Sequence, residues 1–311
     1  MNLQEESGGL CSLPKFIALL LLTILPNSFL LVAQLGPAVR SDMLVSTDWL
    51  ARHLHDPNLI ILCVIDDERL YSSGHIPGAR MIRLSEIVTT RDGIPNELPP
   101  VHALERAFEN AGINNNSRII LYGERSGILA ARAYYTLDYL GLGEQAALLD
   151  GGMEKWEAEK REQSTEIPAI RAGKLSVRAR PEIVVSLKQM AEYSRSPKAS
   201  TVLMDSRPRI EYAGERLSED VSKAGHIPHS VGLHWHELVR DDSIPELQDA
   251  ATLQELFRAS GVVQGKEVVT YCRTGMQSSF SYFVAKYLGF KVSMYDGSFY
   301  EWSRSSLPVE P

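Results

Sequence analysis

The sequence predicts an α/β protein made of two tandem domains, each a parallel sheet flanked by helices. Three observations predict it. The chain has 311 residues, 44% hydrophobic and 23% charged, a globular composition long enough for two domains. It repeats itself once along its length. Each copy also alternates short apolar runs with amphipathic segments, the pattern of parallel strands covered by helices.

The N-terminus comes first and stands apart. Residues 16–33 are an apolar run, preceded by Lys15 and followed by small residues around Gly36 and Ala38. That is the grammar of an export signal. The same stretch just reaches bilayer thickness, although Pro26, Asn27 and Ser28 interrupt a continuous spanning helix. Residues 1–40 are therefore expected to be a signal peptide or a membrane anchor. Either one delivers the rest of the chain outside the cytoplasm, to a periplasmic or extracellular location.

The repeat then sets the boundaries: a first domain over 41–163, a linker over 164–180 and a second domain over 181–311. "VSTDWLA" at Val45 matches "VSLKQMA" at Val185, and "GHIPGA" at Gly74 matches "GHIPHS" at Gly225. "IPNEL" at Ile94 answers "IPEL" at Ile244, "YLG" at Tyr139 answers "YLG" at Tyr287, and "DGGMEKW" at Asp150 answers "DGSFYEW" at Asp296. In the first copy "NLIILCV" and "SRIILYG" read as strands, and "VHALERAFENAG" and "AARAYYTLDYLG" as helices. Their counterparts are "TVLMD", "KEVVTYC", "AATLQELFRASG" and "SSFSYFVAKYLG". Between the copies, the linker lacks sustained periodicity. A net charge of -7 without a basic stripe argues against a nucleic-acid partner.

The chemistry is expected at Cys272. Only Cys11 and Cys63 accompany it, so neither a disulfide framework nor a four-ligand zinc site is encoded. "VTYCRTGMQSSF" places this thiol at the C-terminal end of a strand and ahead of a helix, where ligands gather in open parallel sheets. Gly275 permits unusual backbone angles, and successive N–H groups before a helix form a donor concavity for an anion. Such a field, with Arg273 beside it, favours the thiolate, and that is the position of a nucleophile. The first copy has Gly123 at the matching point, so the fold itself does not demand a cysteine. Cys63 sits within "IILCVI" and reads as core.

"GHIP" twice, the strand-cysteine-loop-helix unit and the terminal "DGSFYEW" resemble the rhodanese family. The tandem arrangement, with an inactive first domain and a catalytic second one, is similar to thiosulfate and 3-mercaptopyruvate sulfurtransferases. The resemblance covers about residues 42–305. It implies that Cys272 takes a sulfane sulfur from a small anionic donor as a persulfide and passes it to cyanide or a thiol acceptor. No metal or organic cofactor is implied. The donor-binding residues expected from the loop are Arg273, Thr274, Gly275, Met276 and Gln277. For Thr274 and Ser278, substrate contact and helix capping are equal readings. Family members often carry an arginine where this chain has Glu211. Arg207 or Arg209 is expected to substitute for it, with Arg207 equally readable as a structural partner of Asp205.

His75 and His226 recur in both copies, including the one without a thiol, and so read as structural. Asp150, Asp296, Trp156 and Trp302 recur likewise and read as scaffold. His229, His234 and His236 lack the context of a metal motif. Two other functions compete with sulfur transfer: a cysteine phosphatase or arsenate reductase, which needs an arginine where Ser278 stands, and a non-catalytic sulfur-binding or partner-docking module.

Overall fold

The computed structural model describes residues 38–241 and 243–311. The apolar segment expected for export or anchoring, residues 16–33, lies outside the described residues. Among the described residues no helix is long and apolar enough to cross a membrane.

The first half carries β1 (Leu44–Val45), α1 (Thr47–His53), β2 (Leu59–Ile65), α2 (Glu68–Ser73), β3 (Arg80–Arg83) and α3 (Leu84–Ile87). It continues with a hairpin of β4 (Thr89–Arg91) and β5 (Ile94–Glu97), then α4 (Val101–Asn110), β6 (Arg118–Gly123), α5 (Ile128–Tyr139), β7 (Ala146–Leu149) and α6 (Gly152–Ala158). The second half carries β8 (Val184–Val185), α7 (Leu187–Arg195), β9 (Thr201–Asp205), α8 (Arg209–Tyr212) and β10 (Val231–Gly232). It closes with α9 (Ala250–Ala259), β11 (Glu267–Tyr271), α10 (Met276–Tyr287), β12 (Lys291–Tyr295) and α11 (Ser298–Arg304).

The strands form two parallel five-stranded sheets of the same order, β1-β7-β6-β2-β3 and β8-β12-β11-β9-β10. The central strands β6 and β11 are β-branched and apolar because helices cover both of their faces. In each half a tyrosine at the C-terminal end of the central strand, Tyr122 next to last in β6 and Tyr271 last in β11, ties down the "GHIP" turn. Tyr122 Oη accepts from Ile76 N at 3.3 Å, and Tyr271 Oη accepts from Ile227 N at 3.2 Å. His75 and His226 stack on Tyr71 and Tyr212 at 3.8 and 3.9 Å, and each engages that tyrosine's carbonyl. The indoles of Trp156 and Trp302 donate to the carbonyls of Glu162 and Pro308. These shared contacts hold the same corner of both domains.

The segment between the sheets has no helix or strand over residues 165–180, yet it is fastened to the first half. Lys174 N donates to Asn114 Oδ1 at 2.9 Å, Leu175 N to Glu109 Oε1 at 2.9 Å, and Ser176 N to Asn115 Oδ1 at 2.8 Å. Side-chain acceptors on the first domain thus replace the ladder that the linker lacks.

The halves meet along α5 and α10, which are buried on almost every face because each lies between its own sheet and the other domain. The "YLG" matches align α5 with α10, and the packing follows a pseudo-two-fold. Tyr134 meets Phe283 edge-on at 4.9 Å and Tyr135 meets Tyr282 at 5.0 Å. At the far end buried Asp138 accepts from Tyr282 Oη at 2.6 Å and pairs with Arg180 and with Lys286, its own counterpart in α10.

Candidate active site

Cys272 follows β11 directly and is 1% exposed. Its carbonyl accepts from Phe299 N at 2.9 Å, and the carbonyl of Arg273 accepts from Tyr300 N at 2.8 Å. The loop's carbonyls are therefore turned down onto the start of α11. Among the described residues, the backbone N–H groups of 273–277 donate to no protein acceptor. Gly275 makes this possible: its φ is +82°, and a Cβ there would lie 2.9 Å from Asp296 O and 3.0 Å from Asp296 Oδ1.

The matching loop of the first half is used differently. A Cβ at Gly123 would stand 2.3 Å from Val64 O, so no side chain fits where the second half has its thiol. The amides of Glu124, Ile128 and Leu129 donate to Val64 O, Arg125 O and Glu124 O. Gly123 borders two spaces, one of about 20 Å³ lined by Gly127, Pro245 and Phe280 among others, and one of about 260 Å³ on its other side, lined by Tyr71, Gly74 and Glu124 among others. Beside Cys272 the cleft is about 270 Å³.

Five expected residues meet around that cleft: Cys272, Arg273, Thr274, Met276 and Gln277. Gly275 is the left-handed residue that starts α10. The opposite wall comes from the first domain, as Asn96, Arg125 and Ile128, and Asp220 adds a carboxylate. Sequence reading missed these four. One signal was available: "IPNEL" has one residue more than "IPEL", and Asn96 is that residue.

Arg207 is not part of this wall. Its guanidinium is 2% exposed, pairs with both oxygens of Asp205, donates to Gly225 O at 2.8 Å and lies 3.8 Å over the Phe299 ring. It braces the "GHIP" turn from beneath. The short Asp-x-Arg spacing lets the two side chains close on each other, so the substrate contact weighed from sequence is replaced by the pairing with Asp205. Arg273 is not a free cation either. It donates to the buried Glu211 carboxylate at 2.6 Å, which Arg216 shares at 2.8 Å. Burial pushes the Glu211 carboxyl up, but the Arg216 and Arg273 hydrogen bonds outweigh it and hold the group below its usual range.

Beneath the loop lies an ion pair across the domains. Arg132 of α5 is 0% exposed and binds Asp296 Oδ1 at 2.6 Å, with Gly275 O at 3.4 Å and Asn96 O at 2.5 Å around it. Asp296 Oδ2 also accepts from Leu98 N at 2.9 Å, just as Asp150 Oδ1 accepts from Leu247 N at 2.9 Å in the other half. Asp296 is thus scaffold of a specific kind, joining the first domain's hairpin to the loop. Cys63, by contrast, is core whose thiol is pushed up to about 12 by burial. Among the described residues no cluster of side chains could hold a metal ion.

The rhodanese-like domain family matches this chain twice, over residues 46–159 and 186–305. The sulfur carrier protein TtuD of Thermus thermophilus is 34% identical over 274 residues, 84% of this chain and 93% of that protein. A thiosulfate sulfurtransferase of Pseudomonas aeruginosa is 32% identical over 263 residues, 84% of this chain and 94% of that protein. Among solved structures, SseA of Escherichia coli, a 3-mercaptopyruvate sulfotransferase, superposes with a TM-score of 0.73 at 26% identity, covering 82% of this chain and 98% of its own. With two matched domains, two sheets of one topology and relatives of this identity over most of its length, the chain belongs to the rhodanese-like sulfurtransferase family.

Proposed function

We propose that this protein moves a sulfane sulfur through a persulfide on Cys272. The Sγ anion attacks the outer sulfur of thiosulfate or 3-mercaptopyruvate and a new S–S bond forms. The donor's bond to that sulfur breaks, and its electron pair leaves on sulfite or on the enolate of pyruvate. A cyanide or thiolate acceptor then takes the terminal sulfur and frees Cys272. The observation that carries this reading is the ring of unengaged amides at residues 273–277 around a buried thiol. Preorganised donors of this kind stabilise an anionic terminal sulfur without reorganising when it forms.

The arginine that a cysteine phosphatase needs is lacking. Position 278 is a buried serine turned to Met294 Sδ. A relative named as a sulfur carrier supports a second reading in which the loaded sulfur is handed to a partner rather than turned over on small acceptors. The apolar segment 16–33, read from sequence alone, supports sulfur transfer outside the cytoplasm.

Mass spectrometry after incubation with thiosulfate, or with 3-mercaptopyruvate, tests the proposal. The expected result is a gain of one sulfur on Cys272 that cyanide removes, with no gain in Cys272→Ser. A stable adduct that cyanide leaves in place selects the carrier reading. No adduct from either donor refutes sulfur transfer at this residue.

A further inference from the structure

The residue that the first domain adds to its copy of the repeat reaches the catalytic loop of the second. Asn96 is the extra position in "IPNEL", and it adopts φ +61°, a left-handed conformation that asparagine tolerates better than most residues. Its backbone is held from below, since Asn96 O accepts from Arg132 Nη2 at 2.5 Å. Its side chain points across the domains, and Asn96 Nδ2 donates to Thr274 Oγ1 at 3.0 Å. Both residues line the Cys272 cleft.

The direction of that hydrogen bond has a chemical consequence. A threonine hydroxyl has one hydrogen to give and two lone pairs to receive with. Asn96 fills a lone pair, and among the described residues Thr274 Oγ1 donates to no protein group. The hydrogen is left for the cleft. We infer that Asn96 is a positioning residue that makes Thr274 a hydrogen-bond donor to the anionic sulfur at Cys272. The inference rests on the sulfur-transfer reading of Cys272. It also explains why the amide tip is present in only one copy. At the symmetric position "IPEL" has no such residue and faces a loop with no thiol.

The test is Asn96→Asp, which keeps the size of the side chain and its tolerance of positive φ but replaces a donor by an acceptor. The introduced carboxylate accepts the Thr274 hydrogen and turns it out of the cleft. With thiosulfate as donor, the rate of sulfur loading on Cys272 should fall by about ten- to a hundredfold near neutral pH, the range expected for losing one donor to a charged group. It should recover as the carboxylate is protonated at lower pH, relative to the wild-type profile. In a Thr274→Val background the same change should alter the rate by less than about threefold, because no hydroxyl remains to be turned. Asn96→Ala should fall between wild type and Asn96→Asp. Loading at the wild-type rate in Asn96→Asp overturns the inference. So does an equal loss with and without the Thr274 hydroxyl, which would mean that Asn96 acts on the loop's shape or on its potential. A wild-type protein that gains no sulfur at Cys272 removes the parent reading instead, and this one with it.

Discussion

Removing the Arg132 side chain should weaken the contact between the two domains. Arg132 and Asp296 are 0% and 4% exposed at their side chains, so neither charge reaches water when its partner is lost. Arg132→Met keeps apolar volume in α5 but leaves Asp296 Oδ1 without its partner and Oδ2 with the Leu98 amide alone. Breaking a buried pair from one side costs about 3–5 kcal/mol. That is a large share of the roughly 5–15 kcal/mol that keeps a protein folded. Replacing both partners, as Arg132→Met with Asp296→Asn, removes the stranded charge while the introduced amide oxygen can still accept from Leu98 N. The double variant should then lie within about 2 kcal/mol of wild type, a coupling of about 2 kcal/mol or more. Urea unfolding of wild type, both single variants and the double variant reads these values from the midpoints. If Arg132→Met lies within about 1 kcal/mol of wild type, or if the single effects add in the double, the pair does not join the domains in the way argued.

Two further outcomes follow from the geometry. Gly123→Cys should not create a second site. Its Cβ would stand 2.3 Å from Val64 O, so the variant should lose about 1–3 kcal/mol and show no sulfur transfer when combined with Cys272→Ser. Recovered turnover in that combination would contradict the closed reading of the first loop. Glu97, whose carboxyl is pushed up to about 7 by burial and by the carboxylates of Asp296 and Glu301, makes stability depend on pH. A carboxyl raised in the folded state contributes stability that is present below about pH 4.5 and is lost as pH rises through about 7. Glu97→Gln should flatten the fall of Tm over that range and gain on the order of 1 kcal/mol at pH 8, discounted for its partial exposure. Parallel Tm profiles for the two proteins would show that Glu97 is ordinary.

The repeat made the two-sheet fold legible, because matched strands, "GHIP" turns and "DG" motifs fix one topology twice. It also made Cys272 legible against Gly123, since a difference between copies that share a fold cannot be demanded by the fold. What stayed hidden was the wall opposite the thiol. Asn96, Arg125 and Ile128 are more than 140 positions from Cys272 in the sequence, and no periodicity within one domain tells which of its faces meets the other. Arg132 was hidden for the same reason. It reads as one position in an apolar helix until α5 is laid against α10, where its counterpart is Phe280. Arg207 failed in the opposite way: a charge near the site by sequence is neutralised two positions away by Asp205.

The pseudo-two-fold also explains how one active site can arise from two equivalent places. Each loop faces the "IPNEL" or "IPEL" segment of the other domain, and the contacts that build the interface are kept on both sides, as the Asp296–Leu98 and Asp150–Leu247 hydrogen bonds show. The interface therefore does not require the two clefts to differ. They differ through a few residues that leave it intact. Where Arg132 approaches Gly275, Phe280 approaches Gly127, its ring carbon 3.5 Å from where a Cβ would sit. The aromatic ring leaves about 20 Å³ on its side of Gly123, the dense packing that favours stability. The arginine instead sets a buried charge beneath the loop, paired with Asp296 and flanked by the carbonyls of Gly275 and Asn96, and the cleft beside Cys272 measures about 270 Å³. Burying an ion pair carries a desolvation cost and unengaged amides oppose folding, and both lie at the cleft that holds the thiol. At the first cleft the place of Arg132 is taken by the ring of Phe280, so the desolvation cost of a buried charge falls on the side that holds the thiol, where the proposed anionic sulfur forms.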